Sequence, residues 1–298
     1  KAVPIELENS FRWSTYFNIS QNKNTMLTLP ESYREEGFSE DLGYGGFESI
    51  VFEDTNLGGI FGYRAKGVYA RDEDTYVRDR NNNLVYDENG RPRRLRYQTA
   101  TGVEFEGGDM IYEDINHDGL INELDVVQIG DANPTCLGMW RNDFTYKTWS
   151  LGVSFYYSIG QDVINGTRYE IENMDYGMNQ ATSVERRWKK QGDVTDMPRA
   201  LEGDDRNYVA SSRFVEDASY VKLKELSLTY NFNRDLLKRT FLKSLKVYVS
   251  AQDLFCISKY KGINPEIGYN AGRANTIAID KQQTPSPIRV TFGVTANF

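Results

Sequence analysis

Ile288-Arg289-Val290-Thr291-Phe292-Gly293-Val294-Thr295-Ala296-Asn297-Phe298 is the stretch that decides the fold. Ile288, Val290, Phe292, Val294, Ala296 and Phe298 are apolar, and the residues between them are polar or small. A period of two with one wholly apolar face marks a β-strand buried on one side. Side chains alternate faces along a strand, so the six apolar groups share one surface. A strand of about 9–11 residues, tilted by about 45°, spans the hydrocarbon core of a bilayer.

The same alternation recurs upstream. Phe11, Trp13, Thr15, Phe17 and Ile19 alternate with Arg12, Ser14, Tyr16, Asn18 and Ser20. Trp140, Asn142, Phe144 and Tyr146 alternate with Arg141, Asp143, Thr145 and Lys147. Segments 149–160, 226–232 and 245–252 repeat the pattern. A soluble β-sandwich also alternates, but its strands usually run about 5–6 residues. The connections separate the two readings further. Short links near Thr148 and from Asn233 to Lys243 alternate with the long stretches 22–137, 162–218 and 257–285. Short turns on one side and long loops on the other are the pattern of an outer-membrane barrel. The expected fold is therefore all-β: an antiparallel transmembrane barrel, apolar toward lipid and polar toward a wet lumen.

Placing Phe298 in the periplasm fixes the direction of every strand. All three long stretches then fall outside the cell. Trp13 and Trp149 are expected at the periplasmic interface and Trp140 at the outer one, where girdle aromatics sit. Residues 1–10 read as the end of another strand followed by a turn through Pro4. Six strands cannot close a barrel whose smallest form has about eight, so the chain reads as the carboxy-terminal part of a larger one. A terminal aromatic such as Phe298 resembles the signal read by the bacterial barrel-assembly machinery.

Composition permits this. Mean hydropathy is −0.60, and no run of 18 apolar residues exists. That excludes a transmembrane helix but not a barrel. The 20 Tyr, 15 Phe and 4 Trp suit strands and interfacial girdles. A net charge of −8 argues against a nucleic-acid partner. Lys1 to Ile5 carry neither the charged nor the apolar region of a signal peptide. Cys136 and Cys256 lack CxxC spacing and are expected to be unpaired, and the single histidine, His117, argues against His-based catalysis.

The sharpest local motif is Asp114-Ile115-Asn116-His117-Asp118-Gly119-Leu120-Ile121-Asn122-Glu123-Leu124-Asp125. Its spacing matches an EF-hand-type calcium loop. Asp114, Asn116 and Asp118 place oxygen donors at the first, third and fifth positions. Gly119 stands where the chain turns sharply. Leu120 would offer its carbonyl, and Asn122 a donor through water. The last position is Asp125 rather than the bidentate Glu of calcium sensors, which looks more like the loop of dockerin modules. The alternative is a solvated acidic turn. A bound Ca²⁺ is expected to be structural, pinning a long loop whose ordering entropy is large.

Several runs resemble one family. Gly108-Asp109-Met110-Ile111-Tyr112-Glu113-Asp114 through Gly119, continued by Ile129 to Pro134, is similar to a stretch of SusC/RagA-like TonB-dependent outer-membrane transporters. So are Phe17–Asn24, Gly58–Tyr63, Val247–Phe255, Lys259–Glu266 and, almost letter for letter, Ser212–Lys224. The resemblance implies a roughly 22-stranded barrel filled by an amino-terminal plug, a plug this sequence does not contain. It also implies a SusD-like lid lipoprotein, energy from TonB, and import of oligosaccharides or oligopeptides. Outer-membrane lipid is a partner by the same reading, and substrate-contacting residues are not indicated.

No catalytic constellation is present: no GxSxG, no P-loop, no zinc spacing, so no enzyme is expected. Glu216 and Asp217 are adjacent and point to opposite faces of a strand, which suits structural bonding. Tyr63, Tyr69, Tyr76, Tyr86 and Tyr97 offer stacking surfaces for sugars or a lid, against ordinary loop packing. The mixed-charge run Arg71–Arg96 reads as a solvated hairpin face. The alternative function is a calcium-dependent surface-binding or adhesion protein without transport.

Overall fold

The structure, a computed structural model, describes residues 2–7, 11–34, 37–42, 45–174, 177, 179–204, 206–267, 279–282 and 284–298. Parts of the stretches 22–137, 162–218 and 257–285 therefore lie outside the described residues, as do residues 8–10.

Seven strands form one antiparallel sheet: β1 (Ala2–Leu7), β2 (Phe11–Ser20), β3 (Cys136–Tyr146), β4 (Trp149–Ile159), β5 (Tyr220–Asn231), β6 (Ser244–Ser258) and β7 (Arg289–Asn297). Sheet order and chain order coincide, as in the wall of an up-and-down barrel. Six of the seven are the alternating segments. The first corrects the reading of residues 1–10, because Pro4 lies inside a strand rather than in a turn. Proline cannot donate to a ladder and is tolerated on an edge or at a bulge. Here β1 is an edge strand whose register slips between Ala2 and Ile5.

The register of β3 against β4 is unbroken from Cys136↔Ile159 to Tyr146↔Trp149. Lys147 and Thr148 alone close that hairpin, with Lys147 at φ 52°. One irregularity interrupts the wall. Between Leu223 and Glu225 the register of β5 shifts against both neighbours, opposite Asp253 at φ 57°. The short links lie at one end of the sheet and the three long connections at the other.

The long connections fold into a layer of their own. Strands Phe38–Asp41, Glu48–Val51, Gly59–Gly62 and Val127–Asp131 form a four-stranded antiparallel sheet, and Asp162–Ile164 pairs with Val215–Asp217. One apolar cluster gathers Phe47, Ile60, Ile164, Tyr208 and Phe214, and another gathers Tyr69, Val77, Phe105, Met110, Tyr112 and Ile121.

The sheet has the reverse character. Of the buried apolar side chains among the described residues, only Tyr220 and Leu223 belong to β1–β7. Ile19 is 62% exposed and Phe292 80%, on the apolar face, while Ser154 and Lys222 on the other face are each 4% exposed. Leaving a Phe or Ile in water forgoes about 1.5–3 kcal/mol per side chain. A row of them across six strands needs a solvent other than water.

Candidate functional site: an inverted wall and an acidic loop

On the polar face, charged side chains are ion-paired along and across the strands. Arg141 reaches Asp143 at 3.0 Å and Glu225 at 3.5 Å. Where the register slips, Lys222 Nζ donates to Glu266 Oε2 at 2.7 Å and pairs with Asp253 Oδ1 at 3.0 Å. Lys224 joins Asp253 at 3.0 Å. The extra residue of a bulge re-aims side chains, and here it lets both lysines meet one carboxylate. Cys256 lies opposite Lys222 on this face, and Cys136 lies opposite Ile159 on the apolar face. Both thiols are free.

Two polar side chains on the apolar face, Asn142 and Thr15, are each covered by an indole. Trp13 Nε1 donates to Asn142 Oδ1 at 3.1 Å, and Trp140 Nε1 donates to Thr15 Oγ1 at 3.1 Å. A polar group facing hydrocarbon without a partner costs several kcal/mol, so the two indoles act as lids. This corrects the expected position of Trp140. It pairs with Phe17 inside the β2–β3 ladder, not at its outer rim. The aromatics at the short-link end do form a rim. Trp149 lies 4.7 Å from Tyr230, Tyr230 4.9 Å from Phe232, and Phe241 5.5 Å from Phe298, centroid to centroid.

In the loop layer the buried charges hold segments together. Asp109, wholly buried, accepts from Arg199 Nε at 2.7 Å, from Asn207 Nδ2 at 3.2 Å and from the Glu106 amide at 2.9 Å. Glu172 takes Arg168 at 3.2 Å and Arg213 at 2.9 Å, and Glu216 takes Arg168 at 3.0 Å. Asp217 caps the Ser219 amide at 2.8 Å. Glu216 and Asp217 bond structurally, as expected of them, whereas Asp109, Glu172 and their arginines carry no local signal of these roles in the sequence. The runs Gly108–Gly119 and Ser212–Lys224 contain Asp109, Arg213 and Glu216, but their partners are remote in sequence. Tyr63, Tyr69 and Tyr97 pack in or against the cluster around Phe105, whereas Tyr86 is exposed. The Arg71–Arg96 run forms two tight turns, Asp79 accepting from the Asn81 and Asn83 amides and Asp87 from those of Asn89 and Arg91.

The structure brings the acidic-loop residues into one turn. Asp114 Oδ2 accepts from the Gly119 amide at 2.9 Å, Asn116 Oδ1 from Asp118 at 2.9 Å, and Asp118 Oδ1 from Leu120 at 2.7 Å. Asp125, wholly buried, accepts from Ile115 at 2.8 Å and Asn122 at 3.0 Å. Asn122 Oδ1 accepts from Leu124 at 2.8 Å. Gly119 has φ 85°, and a Cβ there would stand 2.9 Å from Val77. The other oxygen of Asp114, Oδ1, is buried without a hydrogen-bond partner. Burial, followed by the charges of Asp125 and Asp118, raises the Asp114 carboxyl above its usual range, against the pull of the Gly119 amide. A cation would relieve that oxygen. Among the described residues, however, no three His, Cys, Asp or Glu side chains group as a metal-holding set. Asn116, Asn122 and a backbone carbonyl would have to complete the ligands.

Two TonB-dependent receptors of Formosa agariphila are 31% and 30% identical to this chain over 97% and 100% of its length. The TonB-dependent receptor SusC of Bacteroides thetaiotaomicron is 25% identical over 89% of it and 23% of its own length. The RagAB peptide importer in its open-open state superposes with a TM-score of 0.70 at 18% identity, over 99% of this chain and 27% of that one. The chain is a SusC/RagA-like barrel segment. A second structure, of the RagAB peptide transporter, gives 0.69 at 19% identity over 99% and 28%. The SusC/RagA-like segment spans 27% and 29% of the two Formosa receptors. No protein-family model matches it. As a portion of a large antiparallel barrel, the segment accounts for an apolar exterior, a polar interior and loops gathered at one end.

Proposed function

We propose that the chain forms the carboxy-terminal part of the barrel of an outer-membrane importer for oligosaccharides or oligopeptides. The observation that carries this is the inverted wall, apolar and exposed outside, polar and ion-paired inside. A SusD-like lid lipoprotein on the loop layer, an amino-terminal plug with the remaining strands, and TonB as the energy source belong to the same proposal. Their support is the family resemblance. The test is uptake of labelled oligosaccharides and oligopeptides by cells with and without the intact protein. Loss of uptake of one class, abolished equally by a protonophore, is expected. Unchanged uptake of both classes would remove the importer reading.

A structural calcium ion in the acidic loop is part of this proposal, supported by the unpartnered Asp114 oxygen. Asp114, Asn116, Asp118, Asp125, the Leu120 carbonyl and Asn122 would hold it. The ion would supply positive charge to the Asp114 carboxylate, whose Oδ1 has no hydrogen-bond partner. Calorimetric titration of the intact protein should show calcium uptake that is lost in Asp114→Ala/Asp118→Ala. Equal uptake by both proteins would sink the assignment.

A further inference from the structure

The short-link end of the sheet carries a local positive charge. Asn233 to Lys243 contains Arg234, Lys238, Arg239 and Lys243 against one acid, Asp235, in a chain of net charge −8. Lys238 takes that acid at 2.6 Å. Arg234, Arg239 and Lys243 are exposed, and among the described residues none of the three has an ion-pair partner. Beside them, the stacked rings of Phe241 and Phe298 lie 7° from parallel and remain exposed. Exposed aromatics next to free cations suit the boundary between headgroups and acyl chains.

A groove of about 460 Å³ opens on the apolar face, lined by Trp149, Leu228, Tyr230, Val247, Val249 and Phe292. The register joins it to the basic turn. The Lys243 amide donates to the Asn297 carbonyl at 2.8 Å, and the β6–β7 ladder then runs from Ser244↔Asn297 through Val249↔Phe292. Lys243, Leu245, Val247 and Val249 share one parity and hence one face. Lys243 and Val247 are four positions apart, about 13 Å along a strand. Half the hydrocarbon core is about 15 Å.

We propose that this end of the wall seats one anionic phospholipid, with an acyl chain in the groove and the phosphate headgroup held by Arg239 and Lys243. Arg234 adds charge at the same rim. The proposal rests on the membrane reading of the wall given above. A zwitterionic phospholipid offers the same acyl chain without the net charge, so the groove alone accepts both and the cations choose between them.

The test uses the intact protein in lipid nanodiscs that contain acyl-brominated phosphatidylglycerol or acyl-brominated phosphatidylethanolamine. The fluorescence difference between the wild type and Trp149→Phe isolates the indole in the groove. Quenching about twofold steeper with the phosphatidylglycerol is expected, and the preference should vanish in Arg239→Gln/Lys243→Gln. Heat-modifiability on gels confirms that each variant is folded. Equal quenching by both lipids, or a preference that survives the double substitution, overturns the lipid seat and leaves the membrane wall standing. Absence of quenching by either lipid overturns the membrane reading itself.

Discussion

Asp109 shows how much one side chain holds in the loop layer. It has no exposure and sits between Arg199 and Arg206, so its removal takes away the buried carboxylate they share and leaves Arg199 to Glu106 and Arg206 to Asp204. Breaking a buried pair from one side costs about 3–5 kcal/mol. Asp109→Ala should therefore open the 106–110 and 199–207 segments to hydrogen exchange while the strands stay protected. Asp114 works in the opposite sense. Its folded carboxyl titrates above the ordinary value, about 3.9 in an unfolded chain, so the folded loop binds the proton more tightly. That contribution is present at low pH and is lost as pH rises through the raised value. In chelator, the loop's amide protection, corrected for the intrinsic pH dependence of exchange, should be lower at pH 7 than at pH 4, and Asp114→Asn should flatten the difference. Calcium should slow exchange at pH 7 and leave pH 4 little changed.

Among the elements, β2 and β3 are locked across the apolar face by the two indole N–H groups. Trp13→Phe keeps the ring and removes the donor, leaving Asn142 Oδ1 without it. A loss of about 1–3 kcal/mol is expected, measured by urea unfolding of the intact protein in vesicles. Asn142→Val in the same background should recover most of it, because the stranded acceptor is then gone. At the other end of the wall, the stack of Phe298 on Phe241 gives the terminal aromatic a partner besides any assembly factor. Deleting Phe298 should lower the amount of heat-modifiable protein in the outer membrane. Phe241→Ala, which spares the terminal residue, should lower it less. The long strands were legible in the sequence because alternation depends only on the pleat, not on which solvent meets each face. Pro4 was misplaced because the register slips between Ala2 and Ile5, an irregularity of the kind that admits proline within a strand. The loop strands escaped because most run only two to five residues, Arg96–Tyr97 and Val127–Asp131 among them. Remote partners stabilise them, such as Tyr63 against Ala210. The acidic loop was legible as a turn, since Asp, Asn and Gly at those spacings bond their own backbone.

The molecule as a whole is built for two solvents. Its loop layer has an ordinary buried core, and its wall has nearly none. Water-based denaturant should therefore melt the layer first and the wall later, giving two transitions where a single domain gives one. The free cysteines add a consequence of their own. Cys136 and Cys256 stand on opposite faces of one sheet, one thiol on the apolar face and the other on the polar face. The wall thus carries a natural pair of sidedness reporters. In the membrane-embedded protein a charged maleimide should modify Cys256 and spare Cys136, with Cys256→Ser and Cys136→Ser identifying each adduct.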